Sequence, residues 1–263
     1  QIQANKSGIK NVLNKFFDIN QVEFVDNDDW LSELNYLNFI REIGRHFSIN
    51  QMLTYESVKR RLDREQNLSF IEFTYMILQA YDFHHLAENY GCNLQIGGSD
   101  QWGNIVNGIE LHRKMKPGSD ELIGLTTELL TTSDGKKMGK SADGAVWLDE
   151  GLLSPYEYYQ YWRNVSDLDA LKFLKLFTEL RLAEIDNLAK LSGAELNKAK
   201  EILAFEATKI CHGQAAAENA KQTSQKVFTE GAADENLPTI TISLSEIEAG
   251  VTFSSLIAKT GSG

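Results

Sequence analysis

Residues 69–104, SFIEFTYMILQAYDFHHLAENYGCNLQIGGSDQWGN, constrain the fold more than any other part of the chain. Ser69-x-x-Glu72 is a capping box, and the apolar spacing behind it predicts a helix over 69–90. GCNLQIGG (91–98) then reads as a buried strand entering a glycine turn. SDQWGNIVNGIELHRKMK (99–116) returns to helix, with Ser99 or Asp100 placed as its cap. GLTTELLTTSDG (124–135) is β-branched and apolar and predicts a second strand. A helix–strand–helix–strand order of this kind implies an α/β layer built on a parallel sheet.

Upstream, residues 5–18 carry apolar side chains at helical spacing (Ile9, Val12, Leu13, Phe16, Phe17), and QVEFV (21–25) reads as a short strand. DWLSELNYLNFIREIGRHF (29–47) reads as a helical stretch with Asp29 as its cap and Gly44 as a break. SVKRRLDRE (57–65) reads as a basic helical turn. After residue 150 the texture is helical throughout. Ser154, Pro155 and Glu157 open a capped helix, and further helices follow up to Gly213 and beyond it. GAADENLP (231–238) reads as a linker, and TITISLSEIEAGVTFSSLIAKTG begins a further module. The chain opens on Gln1 and closes on KTGSG within that pattern, so both ends read as cuts in a longer polypeptide.

Composition excludes several classes. Of 263 residues 42% are apolar, ordinary for a core-forming protein, and only three are proline. The formal charge of -11 argues against a surface that is basic all over, although local patches can still meet RNA. Cys92 and Cys211 are far apart without a CxxC or a Cys/His cluster, which fits a reducing compartment and no zinc site. No apolar run approaches the roughly 18 residues of a membrane span.

Three constellations carry polar chemistry. Tyr75, Gln79 and Asp82 recur at i, i+4 and i+7 on one face of an otherwise apolar helix. A phenol, an amide and a carboxylate on one stripe suit a small polar ligand; an ordinary solvent-facing stripe that includes Glu72 is the competing reading. In QIGGSDQWGN (95–104) a glycine pair lets a ligand approach the backbone, and Asp100 suits ribose hydroxyls, while a ligand-free tight turn competes. In DGKKMGKS, Lys136, Lys137 and Lys140 fall within five residues. Flexible lysines suit a moving polyphosphate; a solvated basic turn competes. His46, His84, His85 and His112 read as structural or surface residues. The run Lys59, Arg60, Arg61 and Arg64 reads as a solvated face, with an RNA backbone as the alternative.

Four segments, FTYMILQAYDF (73–83), CNLQIGGSDQWGN (92–104), KMGKS (137–141) followed by GAVWLD, and SPYEYYQYWRN (154–164), together resemble the bacterial or organellar tyrosyl-tRNA synthetases, class I aminoacyl-tRNA synthetases. KMGKS matches the KMSKS signature with Gly139 in its middle position.

The resemblance covers nearly all of the chain and implies specific roles. Tyr75 and Gln79 match residues that bind the α-ammonium of tyrosine, and Asp82 the residue that accepts from its phenol. Gln95 and Gln101 match residues lining the amino-acid pocket, Gln101 near the carboxylate. Gly97, Gly98 and Asp100 match residues facing adenosine. Lys137, Met138, Gly139, Lys140 and Ser141 match the KMSKS loop, whose lysines stabilise pyrophosphate.

The implied fold is α/β: the C-terminal half of a Rossmann-like catalytic domain over 1–150, a helical domain over 151–230, and a linker and the start of an anticodon-arm RNA-binding domain over 231–263. The implied substrates are L-tyrosine, ATP with Mg²⁺ and tRNA(Tyr), in the cytoplasm or an organellar matrix. The implied assembly is a homodimer, with 29–53 and Phe70 as partner surface.

Two departures qualify the resemblance. No HIGH-like sequence precedes residue 15, so the family's HIGH half is expected to be absent and the chain is not expected to activate tyrosine alone. Glu128 stands where the family usually has proline. The alternatives are a tryptophanyl-tRNA synthetase, against which Asp82 argues, and a non-catalytic, synthetase-derived RNA-binding protein.

Overall fold

A computed structural model describes residues 1–138, 145–230, 242–248, 250–252 and 255. In chain order its longer elements are α1 (Ile2–Leu13), α2 (Asp28–Leu31), α3 (Tyr36–Glu42), α4 (Ile49–Met52), α5 (Glu56–Asp63), α6 (Phe70–Tyr90), β1 (Leu94–Gly98), α7 (Trp102–Met115), β2 (Ile123–Thr127), α8 (Pro155–Arg163), α9 (Asp167–Phe177), α10 (Leu182–Leu188), α11 (Leu196–His212), α12 (Gln214–Glu230) and α13 (Leu244–Glu248). The chain divides into two compact units, residues 25–130 and residues 1–24 together with 131–263.

In the α/β unit, α6 starts where its sequence says it must. Ser69 Oγ accepts from the Glu72 amide, and the Glu72 carboxylate accepts from the Ser69 amide. Such a box is worth about 1 kcal/mol. Gly91 closes the helix at φ +66°, a left-handed conformation that glycine adopts without strain. β1 and β2 pair in parallel, Leu94 opposite Ile123 and Gly98 opposite Thr127, and α7 is the crossover between them. Helices α6 and α7 approach closely at Gly108, where a Cβ would fall 2.9 Å from the Phe83 ring.

The other unit buries an aromatic core. Tyr158, Tyr159 and Trp162 of α8 pack with Phe173 and Leu174 of α9 and with Leu203 and Ala207 of α11. Ser154 and Glu157 form the expected box, with Pro155 at the first helical position. α11 ends at Gly213, φ +88°, as its sequence predicts.

Several expectations are corrected. Residues 21–25 form no strand, because no neighbouring strand pairs with them among the described residues. The stretch 29–47 is three short pieces, because the Asn35 side chain accepts from the Asn38 amide and starts a new helix. Asp29 lies inside the first turn of α2 rather than capping it. Neither Ser99 nor Asp100 is an N-cap: a 3-10 turn already spans Ser99–Gln101, and its N-cap is Gly98. β1 is not a buried strand. α7 covers one face of the sheet, but Leu94, Ile96, Ile123 and Leu125 on the other face are exposed.

The compact units are also drawn differently from the expected boundaries at 150 and 230. Met138, Val146, Leu148 and Leu153 pack against the helical core, so that compact unit starts before residue 150. The linker at 231–238 lies outside the described residues.

Candidate amino-acid pocket and lysine hairpin

The polar stripe of α6 opens into a pocket of about 470 Å³ within the α/β unit. Tyr75, Gln79 and Asp82 line it from the helix, and Gln95 and Gln101 from β1 and the turn after it. Leu86, Ile96 and Ile105 supply an apolar wall. The five residues expected to meet tyrosine thus share one cavity. An amphipathic ligand with polar groups at separated points suits such a lining.

Asp82 is fixed in place before any ligand arrives. Trp30 Nε1 donates to its Oδ1 at 2.8 Å, and Asn27 Nδ2 donates to its Oδ2 at 3.0 Å. A carboxylate has about four acceptor positions, so the two bonds leave capacity for a ligand hydroxyl. Trp30 is itself held by stacking on His85, with ring centroids 4.4 Å apart. Sequence reasoning missed Trp30 and Asn27. The available signal was the indole in DNDDW, since a buried Trp N–H needs an acceptor.

Gln95 Oε1 is buried without a hydrogen-bond partner. An orphaned buried acceptor costs about 1–3 kcal/mol, which a ligand donor would recover. The Gln101 amide oxygen accepts from Asn104 at 3.1 Å, which orients that side chain at the pocket wall. Tyr75 is 59% exposed and stands at the mouth.

Gly97, Gly98 and Asp100 sit at the strand end, next to the cavity rather than among its lining residues. Both glycines answer to local crowding. A Cβ at Gly97 would lie 3.0 Å from Gln101 Cβ, and one at Gly98 would lie 2.8 Å from Asp100 Oδ1.

Lys137 and Met138 belong to the helical unit; Gly139, Lys140 and Ser141 lie outside the described residues. The lysine segment leaves a tight hairpin. Thr131 and Lys137 form an antiparallel bridge, and the Thr132 amide donates to the Lys136 carbonyl at 2.9 Å. Gly135, φ +80°, supplies the left-handed residue that a three-residue hairpin needs. Asp134 accepts from Thr132 Oγ1 and pairs with Lys136 Nζ at 3.0 Å. Those contacts, the Thr132 hydrogen bond first, hold its carboxyl down at about 2. Lys136 is therefore tied to the turn.

The histidines are structural. His84 Nδ1 and His112 Nδ1 lie 3.0 Å apart between α6 and α7, and His112 Nε2 lies 3.0 Å from Ser119 Oγ. Burial, then the neighbouring His112, lowers the His84 pKa. In the basic run, Arg61 pairs with Glu72 at 2.7 Å. Among the described residues no cluster of three or more His, Cys, Asp or Glu side chains is placed to hold a metal ion, and no helix is long and apolar enough to cross a membrane.

Comparison with known proteins identifies the class. The sequence profile of the family described as tRNA synthetases class I (W and Y) matches residues 1–229, and the chain belongs to that family. Within it, the chain is 55% identical over 99% of its length to a protein of Agrobacterium fabrum named tyrosine–tRNA ligase, and 54% identical over 99% to one of Ruegeria pomeroyi with the same name. It spans about 63% of the length of these curated relatives. Among solved structures, it is similar to a C-terminally truncated mitochondrial tyrosyl-tRNA synthetase of Aspergillus nidulans. That match has a TM-score of 0.65 and 33% identity, and covers 77% of this chain and 57% of the other. The corresponding Coccidioides posadasii enzyme matches with a TM-score of 0.63 and 30% identity, over 84% and 65% of the two chains.

Proposed function

We propose that the protein is a tyrosine–tRNA ligase that activates L-tyrosine with ATP and transfers it to tRNA(Tyr). The observation that carries this reading is the shared pocket of Tyr75, Gln79, Asp82, Gln95 and Gln101, with Asp82 pre-oriented by Trp30 and Asn27. Tyr75 and Gln79 receive the α-ammonium, Asp82 accepts from the phenolic hydroxyl, and Gln95 and Gln101 complete the pocket, Gln101 near the carboxylate. Gly97, Gly98 and Asp100, beside the cavity, meet the adenosine.

In the first step the tyrosine carboxylate attacks the α-phosphorus of ATP. The bond to the bridging oxygen of the β-phosphate breaks, and pyrophosphate leaves with the electron pair. Lys137 and Lys140, in the loop that also contains Met138, Gly139 and Ser141, stabilise that leaving charge. Fixed positive charge aimed where negative charge develops is the largest effect a site of this kind can supply. Mg²⁺ enters with ATP as part of the substrate. In the second step a terminal ribose hydroxyl of the tRNA attacks the acyl carbon, and AMP departs. No covalent enzyme intermediate is required.

The reaction belongs to translation, in the cytoplasm or an organellar matrix. Residues 1–150 supply the catalytic part, 151–230 a helical domain, and 231–263 the start of an RNA-binding module. The partner is a second copy of the chain, meeting it through 29–53 and Phe70. Tyr36, Leu37, Ile40, Ile49 and Phe70 are exposed apolar residues there, which supports that surface.

Amino-acid-dependent ATP–pyrophosphate exchange by the full-length protein tests the reading. Exchange with tyrosine, and neither phenylalanine nor tryptophan, is the expected result. Exchange with tryptophan would reassign the pocket to the sister enzyme. No exchange from a folded protein would leave RNA binding without catalysis as the function.

A further inference from the structure

The lysine hairpin is bolted to α9 by a carboxylate that the proposed chemistry does not use. Asp169 is only 4% exposed, and its Oδ2 accepts from both the Ser133 amide at 3.0 Å and the Ser133 hydroxyl at 2.9 Å. One turn further along α9, Lys172 Nζ donates to the Thr131 carbonyl at 2.7 Å. At the other end of the hairpin, Met138 packs against the helical core. The strand entering the turn, its tip and the strand leaving it are therefore each held to the helices.

Asp169 stands in the first turn of α9, where any carboxylate is favoured by the helix dipole. A dipole partner can stay in water. This one is buried, which is costly unless its acceptors are filled, and the donors that fill them come from a segment more than thirty residues earlier. Ser133 is an exposed turn residue, and a short polar hairpin has little packing of its own to define its direction.

We propose that Asp169, with Lys172 assisting, is a positioning residue for pyrophosphate release: it fixes the hairpin that carries Lys137. The inference rests on the assignment of Lys137 to pyrophosphate. Asp169 touches no substrate. It acts through Ser133, and a small change in the hairpin displaces the charge on Lys137. Displacements on the order of 1 Å cost up to about 100-fold in rate.

The test uses two variants of the full-length protein. Ser133→Pro removes both donors to Asp169 at a turn position where proline is favoured, so the turn itself is kept, while the unpaired Asp169 carboxylate lowers the Tm by itself. Asp169→Asn keeps the shape and removes the charge. The expected result is a fall of roughly 10- to 100-fold in kcat for tyrosine-dependent ATP–pyrophosphate exchange, with the KM for tyrosine unchanged. Single-turnover transfer from preformed tyrosyl-adenylate to tRNA involves no pyrophosphate and should run at the wild-type rate. A merely structural role would slow both reactions alike, and comparison at a temperature where each variant is folded separates it from positioning.

Folded variants with wild-type exchange would overturn the inference and leave the assigned activity standing. Equal losses in exchange and transfer would also overturn it. A wild-type protein without exchange would overturn the assigned activity and this inference with it.

Discussion

The two compact units solve the burial problem differently. The helical unit encloses its large apolar side chains: Tyr159, Phe173, Leu174, Ile185 and Leu203 are each fully buried. The α/β unit encloses α6 and α7 against one another but leaves one face of its sheet open, with Ile96 at 62% exposure and Leu125 at 51%. The same contrast runs through the polar groups. Asp82 is fixed by neighbours within its own unit and keeps spare acceptor capacity facing a pocket, whereas Asp169 is buried and spends Oδ2 on two Ser133 donors. A buried carboxylate can organise a segment; a carboxylate on a cavity wall can meet a ligand.

The largest expected effect is in the closed core. Phe173 stacks edge-on against both Trp162 and Phe177, with centroids 5.8 Å apart in each case. Phe173→Ala should cost about 3–5 kcal/mol of unfolding free energy by denaturant titration. A loss below 1 kcal/mol would mean that the core is not closed as described.

A smaller effect separates the units by pH. His84 has its pKa lowered by burial, and the unfolded chain therefore binds the proton first as pH falls below the ordinary value near 6.5. Stability contributed by neutral His84 is present above that value and is lost on acidification. Thermal unfolding followed from pH 7.5 to 5 should show a falling Tm, with a shallower slope in His84→Gln. His212 in the helical unit is also held low by burial, so part of the slope should survive the substitution.

The smallest stability effect is expected on the open face. Ile123→Lys should change unfolding free energy by no more than about 0.5 kcal/mol, because the side chain is already in solvent. It should still reduce binding of a hydrophobic dye to this chain. A loss of 2 kcal/mol or more would show that the face is covered.

Local patterns were legible in the sequence wherever local contacts decide the structure. The boxes at Ser69 and Ser154, the glycine ends of α6 and α11 and the β–α–β order all follow from residues within a few positions of each other. The i, i+4, i+7 stripe likewise placed Tyr75, Gln79 and Asp82 on one wall. What the sequence hid depends on distant partners. The strand pattern of QVEFV is unfulfilled for lack of a neighbour, and the apolar run of β1 does not reveal that one face stays uncovered. The bonds from Trp30 and Asn27 to Asp82, and from Ser133 to Asp169, span between 36 and 55 residues and leave no periodic trace.

The proposed reading of the phenolic hydroxyl by Asp82 is tested by the selectivity of Asp82→Asn. The measurement is the ratio of kcat/KM for tyrosine over phenylalanine in ATP–pyrophosphate exchange by the full-length protein. A site that leaves a buried polar group unpaired rejects the ligand lacking the hydroxyl, and each such group is worth about 1–3 kcal/mol, or about 5- to 150-fold. The ratio is expected to fall by a factor in this range, chiefly through slower reaction with tyrosine. An unchanged ratio in a folded variant would contradict it, and the pocket's specificity would have to come from elsewhere.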